Sequence, residues 1–388
     1  MVRWSSPRRR VLIGIVLGLV ALVVYWRSNP APVGGYEHFV YQADAFLHGR
    51  LDMVGVPDYY QDLALWQGKI YLPMPPGPAL VLLPFVALFG IVDALEAQLA
   101  ILLGALDVAL AYWMLLRVGA STRSAVFGAL LLGFSSVLWS AAALGTSWFF
   151  AHLVAVAFVL LGLGELGGKG RGWLVGVLFA LAWLTRAPIV MAAPFAFVAL
   201  WTRSRRQALW FGAVATLSLV AYGVFNYARF GDALESGHHL HTAALALQGP
   251  LSQGLFALVH LPPNLDALLL RGFDVVPDVP FFKPSPYGLS IVLTSPALLA
   301  LLFPERRPNR GEWALLGCAL VVLAPSLFWF STGWVQWGYR YALDSLPFLL
   351  VALARLQSAS PRGMEWGLLV VGIAVNAMGV YWLRTLGS

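Results

Sequence analysis

The chain has 388 residues, of which 60% are hydrophobic and only 11% are Asp, Glu, Lys or Arg. An average soluble domain carries about 25% charged residues, so this composition excludes a soluble enzyme, a disordered chain and a nucleic-acid-binding module. The net charge of +7 comes from basic residues in short clusters between long apolar runs, which is typical of an all-α polytopic membrane protein.

The first apolar run, over 11–26, follows three arginines at positions 8–10. No small-residue cleavage site follows it, so we predict a retained first helix with the N-terminus in the cytoplasm. Ten further apolar runs are predicted as membrane-spanning helices: 96–116, 124–145, 148–166, 172–187, 188–201, 208–228, 287–303, 312–330, 342–356 and 365–383.

One more apolar run, over 79–91, directly follows the proline-rich stretch 73–78 and is too short for an ordinary span. If it does not cross the membrane, 16 of the 25 Lys and Arg residues fall on the cytoplasmic side and 9 fall outside. If it crosses, this positive-inside bias reverses. We therefore predict eleven spans, an outer C-terminus and a juxtamembrane helix over 79–91.

Two long polar stretches remain, 27–95 (the first loop) and 229–286 (the second loop), and both are predicted to lie outside. Long loops that lack the apolar character of the spans are where function is most often located. The chain as a whole, 1–388, is interpreted as a single integral-membrane domain, with the first loop as its candidate active site.

The first loop is rich in carboxylates. The pattern over 39–47 predicts a short amphipathic helix, with Glu37 placed to cap its N-terminus and Asp44 on roughly the same face. With Asp52, Asp58 and Asp62, the loop holds five of the 18 acidic residues. Two interpretations stay open at this point: a solvated loop with a helix cap, or a cluster that supplies a general base.

Several sequence motifs resemble those of the GT-C superfamily of integral-membrane glycosyltransferases, which includes protein O-mannosyltransferases and aminoarabinose transferases. The match rests on 41–50 (YQADAFLHGR), 71–78 (YLPMPPGP), 184–188 (LTRAP), 338–341 (GYRY) and 346–348 (LPF), in the family's order. The family fold places juxtamembrane helices after the first span, which agrees with the charge-based interpretation of 79–91.

The resemblance implies inverting transfer of a sugar from a polyprenyl-phosphate donor to an acceptor hydroxyl of a glycan, lipid or protein. It implies an enzyme of the cell envelope, in a bacterial inner membrane, acting at the outer face. Family members commonly carry an acidic pair early in the first loop, where this chain has Gly34 and Gly35. The catalytic acid is therefore carried over to Glu37 as first choice and Asp44 as second.

The departing phosphate needs fixed positive charge, and basic residues are scarce on the predicted outer side. Arg340, flanked by Tyr339 and Tyr341, is the best phosphate candidate because an arginine fork matches phosphate oxygens; the alternative is snorkelling to lipid headgroups. Arg186 lies in apolar sequence at a predicted helix break, where a charge is a functional candidate; the alternative is a structural ion pair. Lys69 is a weaker candidate.

Histidines give two further predictions. His152 lies at the outer end of a span, where it faces either the substrate cavity or the protein interior. His238, His239 and His241 in the second loop are weak candidate ligands for a divalent metal, but their spacing matches no specific zinc signature.

The alternative function is a transporter or flippase of a lipid-linked substrate. It is less favoured because transporters usually show internal repeats and charges at mid-membrane, and the sequence has no visible repeat. No Gly-rich phosphate loop or dinucleotide-binding fingerprint is present, which favours a lipid-linked donor.

Overall fold

The computed structural model describes residues 7–29, 32, 35–240, 245–277, 281–357 and 361–386. These residues are mainly helical, with two small hairpins. The α-helices are α1 Pro7–Ser28, α2 His38–Leu47, α3 Gly77–Phe89, α4 Leu95–Arg117, α5 Thr122–Phe134, α6 Leu138–Leu144, α7 Ser147–Gly167, α8 Gly172–Trp183, α9 Ala193–Trp201, α10 Arg205–Phe230, α11 Leu245–Ser252, α12 Leu261–Leu265, α13 Ile291–Thr294, α14 Arg310–Leu327, α15 Leu346–Leu356 and α16 Gly363–Leu386.

The remaining regular elements are short. The strands are β1 Ala64–Trp66, β2 Lys69–Tyr71, β3 Asp274–Val275 and β4 Phe282–Lys283, paired antiparallel as β1–β2 and β3–β4. Helical turns of the 3₁₀ type cover Ala187–Ala192, His238–Leu240, Leu258–His260, Pro296–Leu302 and Arg340–Asp344, and a π-helical turn covers Asp266–Leu270.

Six helices in the described part of the chain are long and apolar enough to cross a membrane: α1, α4, α7, α10, α14 and α16. The pair α5–α6, bent by 46° at its break, makes a seventh if the two form one span. The chain is therefore a helical multi-pass membrane protein, but the predicted count of eleven spans is not confirmed.

Helix breaks and short helices explain why fewer helices of spanning length are found than the eleven spans predicted from the sequence. At the α5–α6 break, Ser136 donates its hydroxyl to the carbonyl of Leu132 at 2.6 Å and accepts from the amide of Leu138 at 3.2 Å, so a side chain competes with the helical ladder. The run 172–187 ends as α8 at Trp183, and Arg186 has an extended backbone with a φ of −134° and a ψ of 99° before the 3₁₀ turn Ala187–Ala192 begins.

The two runs nearest the C-terminal loops are also interrupted. The run 287–303 divides into α13 and the 3₁₀ turn Pro296–Leu302, with a proline at the start of that turn. The run 342–356 contains the 11-residue α15, preceded by the 3₁₀ turn Arg340–Asp344. Neither α13 nor α15 reaches the length of an ordinary span.

Helices α4 and α7 form the centre of the helical bundle. In their most apolar windows 61% and 89% of the residues are buried, against 11% in α1. Gly104 of α4 permits close packing, because a Cβ there would lie 2.6 Å from the Cβ of Ala142 and 3.0 Å from the ring of Tyr25. Small residues at such crossings let membrane helices approach each other.

The first loop folds into α2, the β1–β2 hairpin and α3, which confirms the short helix predicted over 39–47 and helical structure over most of 79–91. The hairpin turns at Gln67 and Gly68, whose φ angles of 50° and 74° suit a two-residue turn of the I′ type. That α3 lies along the membrane instead of crossing it stays a prediction.

Both loops meet the same ends of the bundle helices. The amide of Ser147, at the start of α7, donates to the carbonyl of Tyr36 at 3.0 Å. Arg229, near the end of α10, donates to the carbonyl of Leu72 at 2.7 Å. In the second loop, the amide of Ala257 donates to the carbonyl of Phe328, just after α14, at 3.0 Å. The two loops therefore cover one end of the bundle together.

Candidate active site

A buried carboxylate joins two of the predicted site residues at this end of the bundle. Asp344 is 1% exposed and accepts from Nδ1 of His152 at 2.9 Å. It also accepts from Nη2 and Nε of Arg186, at 3.1 and 3.2 Å. The fork of Arg186 is thus held from one side, and 21% of its side chain remains exposed. A phosphate oxygen needs such a fixed, accessible guanidinium.

Arg340 lies beside this cluster and is 8% exposed. Its Nη1 donates to Oε1 of Gln336 at 2.9 Å, and its Cζ lies 5.3 Å from the ring centroid of Phe149. Gly333, at a φ of 95°, makes room for it, because a Cβ there would lie 2.7 Å from Nη1. A left-handed backbone and a close side chain both favour glycine at this position.

Tyr341 lies between the two arginines. Its ring centroid is 5.4 Å from Cζ of Arg186 and 5.2 Å from Cζ of Arg340. Tyr339 points elsewhere: its hydroxyl lies within hydrogen-bond distance of two acceptors, Oδ1 of Asn264 at 3.0 Å and the carbonyl oxygen of Ser326 at 3.2 Å. Tyr339 therefore ties the 3₁₀ turn Arg340–Asp344 to the second loop, and Tyr341 keeps the two cations near each other.

Local backbone structure explains how Arg186 reaches the site. The helix α8 ends at Trp183, and the amide of Gly77 donates to the carbonyl of Leu184 at 2.6 Å. A Cβ on Gly77 would lie 2.2 Å from Oγ1 of Thr185. The motifs 71–78 and 184–188 therefore pack directly on each other, although they are far apart in sequence. This packing fixes the backbone at the point where Arg186 leaves the end of α8.

Glu37, the first-choice base, is 6% exposed and caps a helix. It does not cap α2, as the sequence predicted, but α4: its oxygens accept from the amides of Glu96 at 2.9 Å and Ala94 at 3.1 Å. In return Glu96 accepts from the amides of Phe39 at 2.8 Å and Val40 at 3.1 Å. Burial raises the pKa of Glu37, and the backbone hydrogen bonds oppose that rise.

The sequence predicted that Glu37 caps α2, and this was wrong. Glu37 binds amides at the start of α4, while Glu96, from α4, binds amides at the start of α2. Each carboxylate satisfies the free amides at the start of the other residue's helix. These contacts are typical of a structural carboxylate, and the assignment of Glu37 as the base stays a prediction.

The other predicted polar residues lie in surface ion pairs of the first loop. Asp44, the second-choice base, lies 3.4 Å from Nη2 of Arg50 and 3.4 Å from Nδ1 of His48. Lys69 is 56% exposed and lies 3.3 Å from Asp52. None of these described contacts joins them to the two arginines of the cluster.

The predicted metal ligands do not form a site in the part of the chain that the structure describes. His239 lies 3.1 Å from Glu235, and His238 Nδ1 lies 2.8 Å from the hydroxyl of Ser236. His241 lies outside the described residues. No group of three His, Cys, Asp or Glu side chains suited to a metal occurs among the residues described.

No family model matches the sequence, and no curated protein sequence matches it. Solved membrane-protein structures do match the fold. One is the oligosaccharyltransferase of Archaeoglobus fulgidus in its apo form, with a TM-score of 0.53 and 14% sequence identity. The match covers 96% of this chain and 58% of the oligosaccharyltransferase chain. Another is ArnT from Cupriavidus metallidurans bound to undecaprenyl phosphate, with a TM-score of 0.52 and 17% sequence identity. The match covers 96% of this chain and 64% of the ArnT chain.

The chain has the GT-C fold. The resemblance seen in the sequence motifs is confirmed at this level. The chain spans about three fifths of the length of the structures that it matches, and identities this low show the fold alone.

Within this GT-C fold, Asp344 is the member of the site that sequence reasoning missed. It is the acidic residue of an otherwise apolar run, four residues after Arg340. An ionisable residue in such a run is a functional candidate by default, so the signal was present. The same reasoning had identified Arg186.

Proposed function

We propose that the protein transfers a sugar from a polyprenyl-phosphate donor to an acceptor hydroxyl. The observation that carries this proposal is the pair of arginines, Arg186 and Arg340, on either side of Tyr341, with Asp344 as the direct anionic ligand of Arg186 among the described residues. Two guanidinium groups held near each other at the end of an apolar bundle suit an anion carried on a lipid.

The fold supports the same proposal. ArnT from Cupriavidus metallidurans, which shares it, was crystallised with undecaprenyl phosphate. We infer that this chain also takes a donor whose isoprenoid tail lies along the apolar helices and whose phosphate meets the arginines. The membrane would be a bacterial inner membrane, with the N-terminus in the cytoplasm and the site at the outer face.

The chemistry assigned to the cluster is stabilisation of a leaving group. The acceptor oxygen bonds to the anomeric carbon from the face opposite the phosphate, so the configuration inverts. The bond from the anomeric carbon to the phosphate oxygen breaks, and its electron pair leaves with the polyprenyl phosphate. Arg186 and Arg340 stabilise the charge that develops there, and Asp344 holds the fork of Arg186 in place. The acceptor's proton passes to a carboxylate of the first loop.

The test uses the full-length protein in proteoliposomes that contain bacterial membrane lipid extract as acceptor. A panel of undecaprenyl-phosphate hexoses and pentoses is supplied, and release of undecaprenyl phosphate together with label transfer to the extract is measured. Transfer from one donor is the expected result. Movement of the donor between leaflets without any transfer would overturn the proposal and favour a flippase.

A further inference from the structure

The five first-loop carboxylates are not equivalent in their surroundings. Glu37 caps α4, and Asp44 and Asp52 pair with basic residues of the same loop. Asp58 is exposed. Asp62, directly before the β1–β2 hairpin, is the carboxylate of this group that contacts α7.

Two features hold Asp62 in a defined position. Its φ angle is 61°, a left-handed conformation that is unfavourable for a non-glycine residue and persists where the surroundings impose it. Its Oδ2 accepts from Nε1 of Trp148 at 2.8 Å. The side chain is partly exposed, so substrate can reach it. Strain of this kind clusters at active sites.

One turn of α7 connects Asp62 to the phosphate-binding cluster. Trp148 binds Asp62, the ring of the next residue, Phe149, packs on Arg340, and His152, one turn later, binds Asp344. Asp62 also lies close enough to Arg340 to interact with its charge. A first-loop carboxylate is thus linked, through Trp148 and Phe149, to the arginine that is assigned to the leaving group.

We propose that Asp62 is the general base of the transfer reaction, and this assignment rests on the proposed function. A carboxylate oxygen of Asp62 accepts the proton of the acceptor hydroxyl as that oxygen bonds to the anomeric carbon. The phosphate leaves with the electron pair of the broken bond, next to Arg340. A base at hydrogen-bond distance from the attacking hydroxyl and a cation at the leaving oxygen are the two groups that this displacement requires.

The left-handed backbone at Asp62 allows a substitution that removes the carboxylate and keeps the backbone conformation. Asparagine tolerates a positive φ better than most residues and its amide oxygen can still accept from Trp148, so Asp62→Asn removes the base and keeps the local structure. Asp62→Gly is the second variant, because glycine adopts this conformation without strain. Asp58→Asn, four residues earlier and exposed, is the matched control.

The experiment measures turnover with the active donor in proteoliposomes and the affinity of each variant for undecaprenyl phosphate. For Asp62→Asn and Asp62→Gly we expect kcat to fall about 10²–10⁴-fold, the usual contribution of a general base. We expect affinity for undecaprenyl phosphate within about twofold of wild type, because the phosphate ligands are intact. Asp58→Asn should match wild type in both.

Two outcomes would overturn the assignment of Asp62. One is an Asp62→Asn protein with wild-type turnover, and the other is a loss of turnover that is matched by lost affinity for undecaprenyl phosphate. Both leave the proposed function intact if the wild-type protein transfers sugar. A wild-type protein that transfers no sugar from any donor in the panel contradicts the proposed function itself.

Discussion

Two buried charge clusters, one around Glu37 and Glu96 and the other around Arg186, Arg340 and Asp344, use their charges in different ways. In the first, each carboxylate accepts two backbone amides from the start of a helix. In the second, Asp344 binds Arg186 directly, and Arg340 lies near the same tyrosine ring with its Nη1 bound to Gln336. Carboxylates that bind the amides at helix starts hold a fold together, whereas two guanidinium groups held near each other are suited to an anionic ligand.

The two ring nitrogens of His152, in the cluster around Arg186, Arg340 and Asp344, differ in their hydrogen bonding. Nδ1 is bound to Asp344 at 2.9 Å, and Nε2 is buried without a partner in the described part of the chain. A buried polar atom left open is costly in a finished core. Its presence next to the arginines agrees with a site that is completed by substrate.

Within the two charge clusters, the largest expected effect is that of Arg340→Lys. A lysine keeps the positive charge but loses the planar fork that matches phosphate oxygens. We expect turnover to fall about 10²–10³-fold, as for removal of a donor to a developing anion. Transfer assays in proteoliposomes measure it, with the exposed Arg307→Lys as control. Wild-type turnover in Arg340→Lys would remove Arg340 from the phosphate site.

Asp344→Asn should have the next largest effect, since it removes the charge that holds Arg186. Charge-assisted hydrogen bonds contribute about 1.5–3 kcal/mol, so we expect affinity for undecaprenyl phosphate to fall about tenfold or more. Direct binding to the purified protein measures this loss, and thermal unfolding in detergent checks that the variant is folded. A folded variant with unchanged affinity would show that Asp344 does not position Arg186.

Glu37→Gln tests the cluster around Glu37 and Glu96. The amide group replaces one carboxylate oxygen, so one of the two α4 amides loses its acceptor, and we expect a loss of about 1–3 kcal/mol in stability. Thermal unfolding should report it, while turnover per folded molecule stays within about threefold of wild type. The opposite pattern, a 10²-fold or greater loss of turnover at unchanged stability, would make Glu37 the base.

The smallest expected effect is that of Lys69→Met. Lys69 is largely exposed and pairs with Asp52, and surface ion pairs contribute about 0–1 kcal/mol. Turnover and donor affinity should both remain within about twofold of wild type. A loss comparable to that of Arg340→Lys would place Lys69 in the phosphate site after all.

Much of the fold could be predicted from hydrophobic run lengths and Arg placement. Six of the predicted runs contain the helices α1, α4, α7, α10, α14 and α16, because about 20 apolar residues are stable as a helix in lipid. Other runs are interrupted, at Ser136 or at prolines, in ways that run length does not register. Arg186, Arg340, Tyr341 and His152 were chosen from local sequence, and the structure brings all four together.

The sequence by itself determined the chemical inventory: a membrane protein with few charges, whose arginines in apolar surroundings require an explanation. It did not determine which carboxylate serves which role. Glu37 and Asp62 lie in the same loop, yet one binds the start of α4 and the other binds Trp148 on α7. Such pairings are made between segments far apart in the chain, so only tertiary packing could decide them.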